Sequence, residues 1–404
     1  MLLKQREPWH SHVVAQPLLP AHQRYLLDQQ DLRSALLASQ RATACIQRGQ
    51  AVLRELKFPG LHDEFVAASP AADAVAVYTS KQVATYELSG HSANRWMLQC
   101  KGCNSSKLHA SWSPDSSMLM IYSPVTWFCG VLSSRDGNFL GVWRPRCMVV
   151  CSAWQPDSAS IALVYENGSL DVLRPGTMHV SNDAGMDMGF ADQQYLHYRL
   201  KWAPNGQVLV HYTAYAVRFC TSAGSCCASV DFEMRKSLVD CAWSSTSELL
   251  AVSFWQNASI LFYNAKAVCV NRMKMDGLYA RLAWAGDCLA AQCSSCLQVL
   301  STADADFGAK LSSVLIQGNV SAGPVWHISG NYLAFSCADW STKVVHAKSG
   351  SIVWAWCSEP CRAADRLPVH PPFWSVHSPF WSASGQELFF YSGRGGPAMM
   401  AIFR

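Results

Sequence analysis

The stretch MVVCSAWQPDSASIALVYENGSLDVLR, residues 148–174, holds one complete folding unit. It opens with an apolar run that ends on Trp154 and then breaks at Gln155-Pro156-Asp157-Ser158. Proline presets φ for a turn corner, and Asp and Ser bond their own backbone there, so the phrase reads as a chain reversal. A second apolar run, IALVY (161–165), follows. Glu166-Asn167-Gly168 then supplies an Asn-Gly pair, a strong short-range hairpin signal, before SLDVLR (169–174). The unit is therefore three short strands joined by two tight reversals.

The same phrase recurs along the chain. WSPDSSML (Trp112–Leu119), WAPNGQVL (Trp202–Leu209), WSSTSELL (Trp243–Leu250), WHISGNYL (Trp326–Leu333) and WSASGQEL (Trp381–Leu388) repeat WQPDSASI (Trp154–Ile161). Trp284 begins a copy with a shorter turn, WAGDCL, and Ala68 begins one without tryptophan, ASPAADAV. The anchors stand 41 to 55 residues apart and take seven of the sixteen tryptophans. Three or four antiparallel strands at this period are what one β-propeller blade requires. The fold expected is all-β, with eight repeat units forming seven or eight blades over residues 51–404.

These repeats resemble the WD40 superfamily, whose units carry a W/F-S-P-D-G turn at this place. The resemblance covers roughly residues 60–404 and implies a propeller that presents surfaces to other proteins. The Trp-Asp pair that closes the third strand of such repeats is absent from every copy, and Trp143 is followed by Arg144. Gly-His before the first strand survives only at Gly90-His91. Blade packing is accordingly expected to rest on apolar and aromatic contacts.

The last unit ends at AMMAIFR (398–404), its third strand, so its outer strand must come from elsewhere. AVLRELKF (51–58) is the nearest candidate, since closing a ring removes the unpaired edges that invite aggregation. Residues 1–50 read as a basic arm followed by a helix over 22–48, with Asp31 as a possible N-cap and Gly49 as a stop.

Charge separates the two regions. Residues 1–57 carry eight basic and four acidic residues, the whole of the +4 excess, which leaves 24 of each sign in the body. A neutral body lacks the basic face that non-specific nucleic-acid binding needs, although the N-terminal segment leaves that partner open without favouring it. No uncharged apolar run approaches the ~18 residues of a membrane span, so no membrane partner is expected. Seventeen cysteines, many inside apolar runs (Cys220, Cys241, Cys269, Cys288, Cys337), read as reduced, buried hydrophobes of an intracellular protein working in the cytoplasm or nucleus.

Catalytic motifs are missing: there is no P-loop, no dinucleotide fingerprint and no His-Glu-x-x-His. The inner strands read as small and apolar beside their tryptophans, at Ala153, Ala242 and Ala283. No enzyme activity, cofactor or metal is expected. Three stretches exceed the repeat length, 122–138, 175–195 and 354–380, and the propeller plan sends all three to one rim. Their aromatics, Trp127, Phe128, Trp356, Phe373 and Trp374, are the candidate protein-binding residues, with packing under their own loops as the competing reading. The function expected is a protein-interaction scaffold in a multiprotein complex. A propeller enzyme or small-ligand binder using the central channel, and an RNA-associated propeller, stay open as alternatives.

Overall fold

The computed structural model describes residues 51–56, 65–70, 74–78, 82–87, 94–99, 108–123, 128–143, 145, 147–176, 198–232, 237–255, 257–277, 280–293, 296–316, 323–337, 341–356, 379–382, 384–391 and 398–403. The helix expected over 22–48 and the rest of the N-terminal arm lie outside these residues.

Eight antiparallel sheets follow one another along the chain, and the fold is an eight-bladed propeller. Blade one spans residues 65–99, blade two 109–143, blade three 149–173 and blade four 199–231. Blade five spans residues 238–274, blade six 281–315 and blade seven 325–356. Blade eight combines Phe380–Trp381, Glu387–Tyr391 and Ala398–Ile402 with Val52–Leu56. In that sheet Val52 faces Ile402 and Leu56 faces Ala398, so the two ends of the propeller pair antiparallel. Blade three has three strands among the described residues, and the others have four.

Contacts between sheets run through the first strand of each blade, which places these strands around the axis. The fourth strands form the outer wall. Cys269–Lys274 shows the consequence, since most of its side chains face solvent. Cys269 is therefore exposed rather than buried as expected, and Cys288 is half-buried, whereas Cys220, Cys241 and Cys337 lie in the core.

The recurring phrase folds the same way in each full copy. In blade three, Gln155 N–H donates to the Ser160 carbonyl and Ser158 N–H donates to the Gln155 carbonyl, both at 2.9 Å. Blades two, four, five, seven and eight repeat this pair of bonds at the equivalent residues. The fourth residue after the anchor is left-handed each time: Ser116, Ser158, Gly206, Ser247, Gly330 and Gly385 have φ between 61 and 70°. Glycine takes this conformation freely, while a residue with Cβ pays roughly 1–2 kcal/mol for it.

Two of the serines offset that strain across a seam. Asp115 N–H donates to Ser158 Oγ at 3.0 Å, and Asn205 N–H donates to Ser247 Oγ at 2.9 Å.

The seams also correct the expectation of purely apolar packing. The Trp154 indole N–H donates to the carbonyl of Ser111 in the preceding blade at 3.1 Å, and Trp112 donates to Ala67 at 2.9 Å. Trp202 donates to Ala153, Trp243 to Lys201 and Trp326 to Ala283, at 3.0–3.3 Å. Each acceptor sits one residue before the anchor position of its own blade. Two anchors break the ladder. Trp284, on the shortened turn, bonds its own Gly286 carbonyl. The buried Trp381 N–H finds no acceptor among the described residues.

Candidate functional site

Only part of the candidate set lies within the described residues. Trp127, Phe373 and Trp374 lie outside them. Phe128 opens the strand Phe128–Ser133 and is half-buried, its ring edge-on to Phe139 at 6.0 Å. Trp356 ends the strand Ile352–Trp356, also half-buried, and packs on Phe390 at 5.0 Å. The 122–138 expansion is corrected accordingly. Most of its described residues are strand, because Phe128–Ser133 pairs with Met118–Ser123, and Asp136-Gly137 turns the chain toward Phe139–Trp143.

The inner strands are not uniformly small and apolar, which is a second correction. Arg199–Trp202, Leu238–Trp243 and Arg281–Ala285 neighbour one another, and they bring Arg199, Lys201, Asp240 and Arg281 to one locus. Lys201 Nζ lies 2.9 Å from Asp240 Oδ1 and also donates to the Cys241 carbonyl. Asp240 Oδ1 accepts in addition from Tyr212 OH at 3.2 Å and from Cys241 N–H at 2.9 Å. Oδ2 accepts from Leu282 N–H at 3.1 Å in the next blade.

Electrostatics follow from this geometry. Burial alone would raise the Asp240 carboxyl, but the Lys201 charge and hydrogen bond, Arg281 and the Leu282 amide outweigh it and hold the group below the ordinary range. Burial would lower the Lys201 ammonium, and Asp240 reverses the sign so that it titrates above its usual value. Desolvation pushes the Cys241 thiol up to about 12, so it stays protonated and inert. Asp240 is thus a buried structural anion whose four donors come from three blades and tie them together.

Beside this cluster, on the rim formed by the tryptophan-anchored turns, lies an open cavity of about 450 Å3. Its walls are Trp154, Trp202 and Trp243, with Pro114, Pro156 and Pro204 at the same turn position of consecutive blades, and Ala242 and Lys201 complete it. The Lys201 side chain is 35% exposed overall, with its ammonium held by Asp240 and the Cys241 carbonyl. Reading the anchors as packing residues alone hides this site. The available signal is a charged residue, Lys201, directly before an anchor, where the other copies carry Ala, Ser, Val or Phe.

Among the described residues, no group of three or more His, Cys, Asp or Glu side chains is placed to hold a metal ion. No described helix is long and apolar enough to cross a membrane.

No protein-family model matches the sequence, and no curated protein matches it. Solved structures do match in shape. The C-terminal WD40 domain of Sif2 superposes with a TM-score of 0.67 at 11% identity, over 87% of this chain and 99% of that one. BamB from Moraxella catarrhalis gives 0.60 at 11% identity over 87% and 100%, and the computationally designed protein Ika8 gives 0.65 at 10% over 87% and 100%. At such identities the likeness concerns the fold: this chain is a degenerate β-propeller similar in structure to WD40-type propellers.

Proposed function

We propose that the chain is a non-catalytic propeller scaffold that holds protein partners in a multiprotein assembly of the cytoplasm or nucleus. The observation that carries this reading is the rim cavity. Three indoles and three prolines form an open, largely apolar surface, and the buried Asp240 carboxylate nearby is engaged by four donors. Such a surface supports binding through a few rigid anchors, and it offers no nucleophile paired with a base. The aromatics Trp127, Phe128, Trp356, Phe373 and Trp374 are proposed as a second contact area, and the basic segment 1–50 as a further attachment.

The test is purification of the full-length chain from its own cells at native abundance. Light scattering then gives the mass of the eluted species, and cross-linking mass spectrometry gives its contacts. A stoichiometric complex cross-linked through the rims, weakened by Trp127→Ala combined with Trp374→Ala, is the expected result. A chain that elutes alone, or that binds RNA in a salt-dependent way lost on deleting residues 1–50, overturns the reading.

A further inference from the structure

Blade four carries a row of paired residues that runs from its anchor to the outer wall. Trp202 faces Leu209, Leu209 faces Cys220, and Cys220 faces Cys226, the first residue of the outermost strand Cys226–Asp231. The register shifts directly inside the last pair, and blades one, two, five, six and seven shift at the same place. At this position blades two, five and seven set Leu132 against Phe139, Tyr263 against Cys269 and Val345 against Ile352. Among the described residues, blade four alone sets two thiols against each other there.

Local turn chemistry brings the pair close. Thr221 N–H donates to the Ser225 carbonyl and Gly224 N–H to the Thr221 carbonyl, both at 2.9 Å, with Gly224 left-handed at φ 88°. Thr221 and Ser225 are therefore a hydrogen-bonded pair, and by antiparallel alternation Cys220 and Cys226 are the next, non-hydrogen-bonded one. Such pairs hold their Cα atoms about 4.5 Å apart with side chains at their closest, inside the roughly 4.4–6.8 Å that a disulfide spans. The two thiols are in hydrogen-bond contact. Cys293 and Cys296 also touch, but across a hydrogen-bonded pair, Cys293 N–H to the Cys296 carbonyl at 2.7 Å, and with both thiols buried.

Burial divides the roles. Cys220 is fully buried, and desolvation holds its thiol above the ordinary range, so it stays protonated. Cys226 is half-buried between exposed Ser225 and Cys227, and so is the thiol a reagent reaches first. Cys227 lies on the exposed face of the strand, with its Sγ on the Phe219 carbonyl at 3.2 Å.

We propose that Cys220 and Cys226 form a redox modification site, closing to a reversible cross-strand disulfide when a low-molecular-weight disulfide such as oxidised glutathione reaches Cys226. The Cys226 thiolate attacks one glutathione sulfur, the glutathione S–S bond breaks, and the departing thiolate takes up the proton that Cys226 released. Cys220 then attacks the Cys226 sulfur, the bond to glutathione breaks, and the second glutathione leaves with the Cys220 proton. Two protein thiols are oxidised, and one glutathione disulfide is reduced to two thiols. The product pins the outer strand of blade four to the strand inside it, and it does not depend on the scaffold reading.

The experiment exposes the folded full-length protein to oxidised glutathione, quenches with acid and blocks free thiols with N-ethylmaleimide in guanidinium. Dithiothreitol then releases the oxidised thiols for labelling with iodoacetamide, and tandem mass spectrometry of the tryptic peptide 219–235 locates each label. Iodoacetamide on Cys220 and Cys226 together, with maleimide on Cys227, is the expected result. Dithiothreitol added before the block should return maleimide to all three. Cys220→Ser, a core change, should trap glutathione on Cys226. Cys226→Ser, at a half-buried position, should leave Cys220 with maleimide, and Cys227→Ser, at an exposed one, should close the disulfide as wild type does. Maleimide on Cys220 in the treated wild type overturns the proposal, as does a disulfide between Cys226 and Cys227. So does undiminished oxidation of Cys220 in Cys226→Ser, or its loss in Cys227→Ser.

Discussion

The indole N–H of Trp202 donates to the carbonyl oxygen of Ala153 at 3.1 Å, across the seam between blades three and four. This bond, repeated at four other seams, turns an apolar wedge into a directional joint. Trp202→Phe keeps an aromatic ring but leaves the Ala153 carbonyl without its donor. The expected loss is about 1–3 kcal/mol, the cost of a buried polar group left unsatisfied. Trp284→Phe removes only a bond to its own turn at Gly286, near solvent, and should cost less. Guanidinium melts of the two variants check the order, and an equal loss would mean that the indole nitrogens do not matter to the seams.

The blades were legible because Trp112, Trp154, Trp202, Trp243, Trp326 and Trp381 carry one turn phrase at one offset, and local turn chemistry survives in any context. The ladder was not legible, because each acceptor is a main-chain carbonyl, which has no sequence signature. Lys201 and Asp240 stand 39 residues apart, and each alone looks like a solvated charge. Only the ring's geometry sets one against the other. Cys269 misled for a related reason: an apolar run on an outermost strand resembles a core strand until the sheet order is known.

Ser247 tests the left-handed turn position. Its φ is 65° and its Oγ accepts the Asn205 N–H. Ser247→Ala keeps the strained backbone and loses the bond, for an expected cost of about 1 kcal/mol. Ser247→Gly loses the same bond but relaxes the backbone, so it should cost less even after the greater entropy of an unfolded glycine. Urea midpoints decide this, and alanine tolerated better than glycine would refute the account.

Asp240 is the pH-dependent clamp of the acid range. Because its folded carboxyl is depressed, its stabilisation is complete above the ordinary aspartate value of about 3.9 and disappears as pH falls through the lower folded value. The raised Lys201 ammonium acts in the opposite range, contributing below its ordinary value and failing as pH rises through the folded one. Asp240→Asn should cost roughly 2 kcal/mol near neutrality, less than a fully buried pair because the Lys201 side chain is 35% exposed. Between pH 5 and 9 that penalty should be flat, and below about pH 4 it should shrink. A penalty unchanged at pH 3 would show that the carboxylate charge is not what holds the three blades.

His327 sets a second, separate pH dependence at the seam between blades seven and eight. The Ser329 N–H donates to its Nδ1 at 3.1 Å, so that nitrogen carries no proton, and the ring must donate from Nε2 to the Gly385 carbonyl at 3.2 Å. Burial pulls the imidazole down to about 4. In the unfolded chain the same group titrates near 6.5, so between these values the unfolded state binds a proton that the folded state refuses. The stabilisation is therefore complete above about pH 6.5 and drains away as pH falls toward 4, with a slope of up to about 1.4 kcal/mol per pH unit. His211, likewise buried and lowered to about 4, adds a term of the same sign, so the wild-type curve alone cannot separate them. His327→Gln isolates the contribution: its urea midpoint should fall less steeply than wild type from pH 7 to 4.5. Parallel curves would mean that protonation of His327 is not coupled to the blade-seven seam.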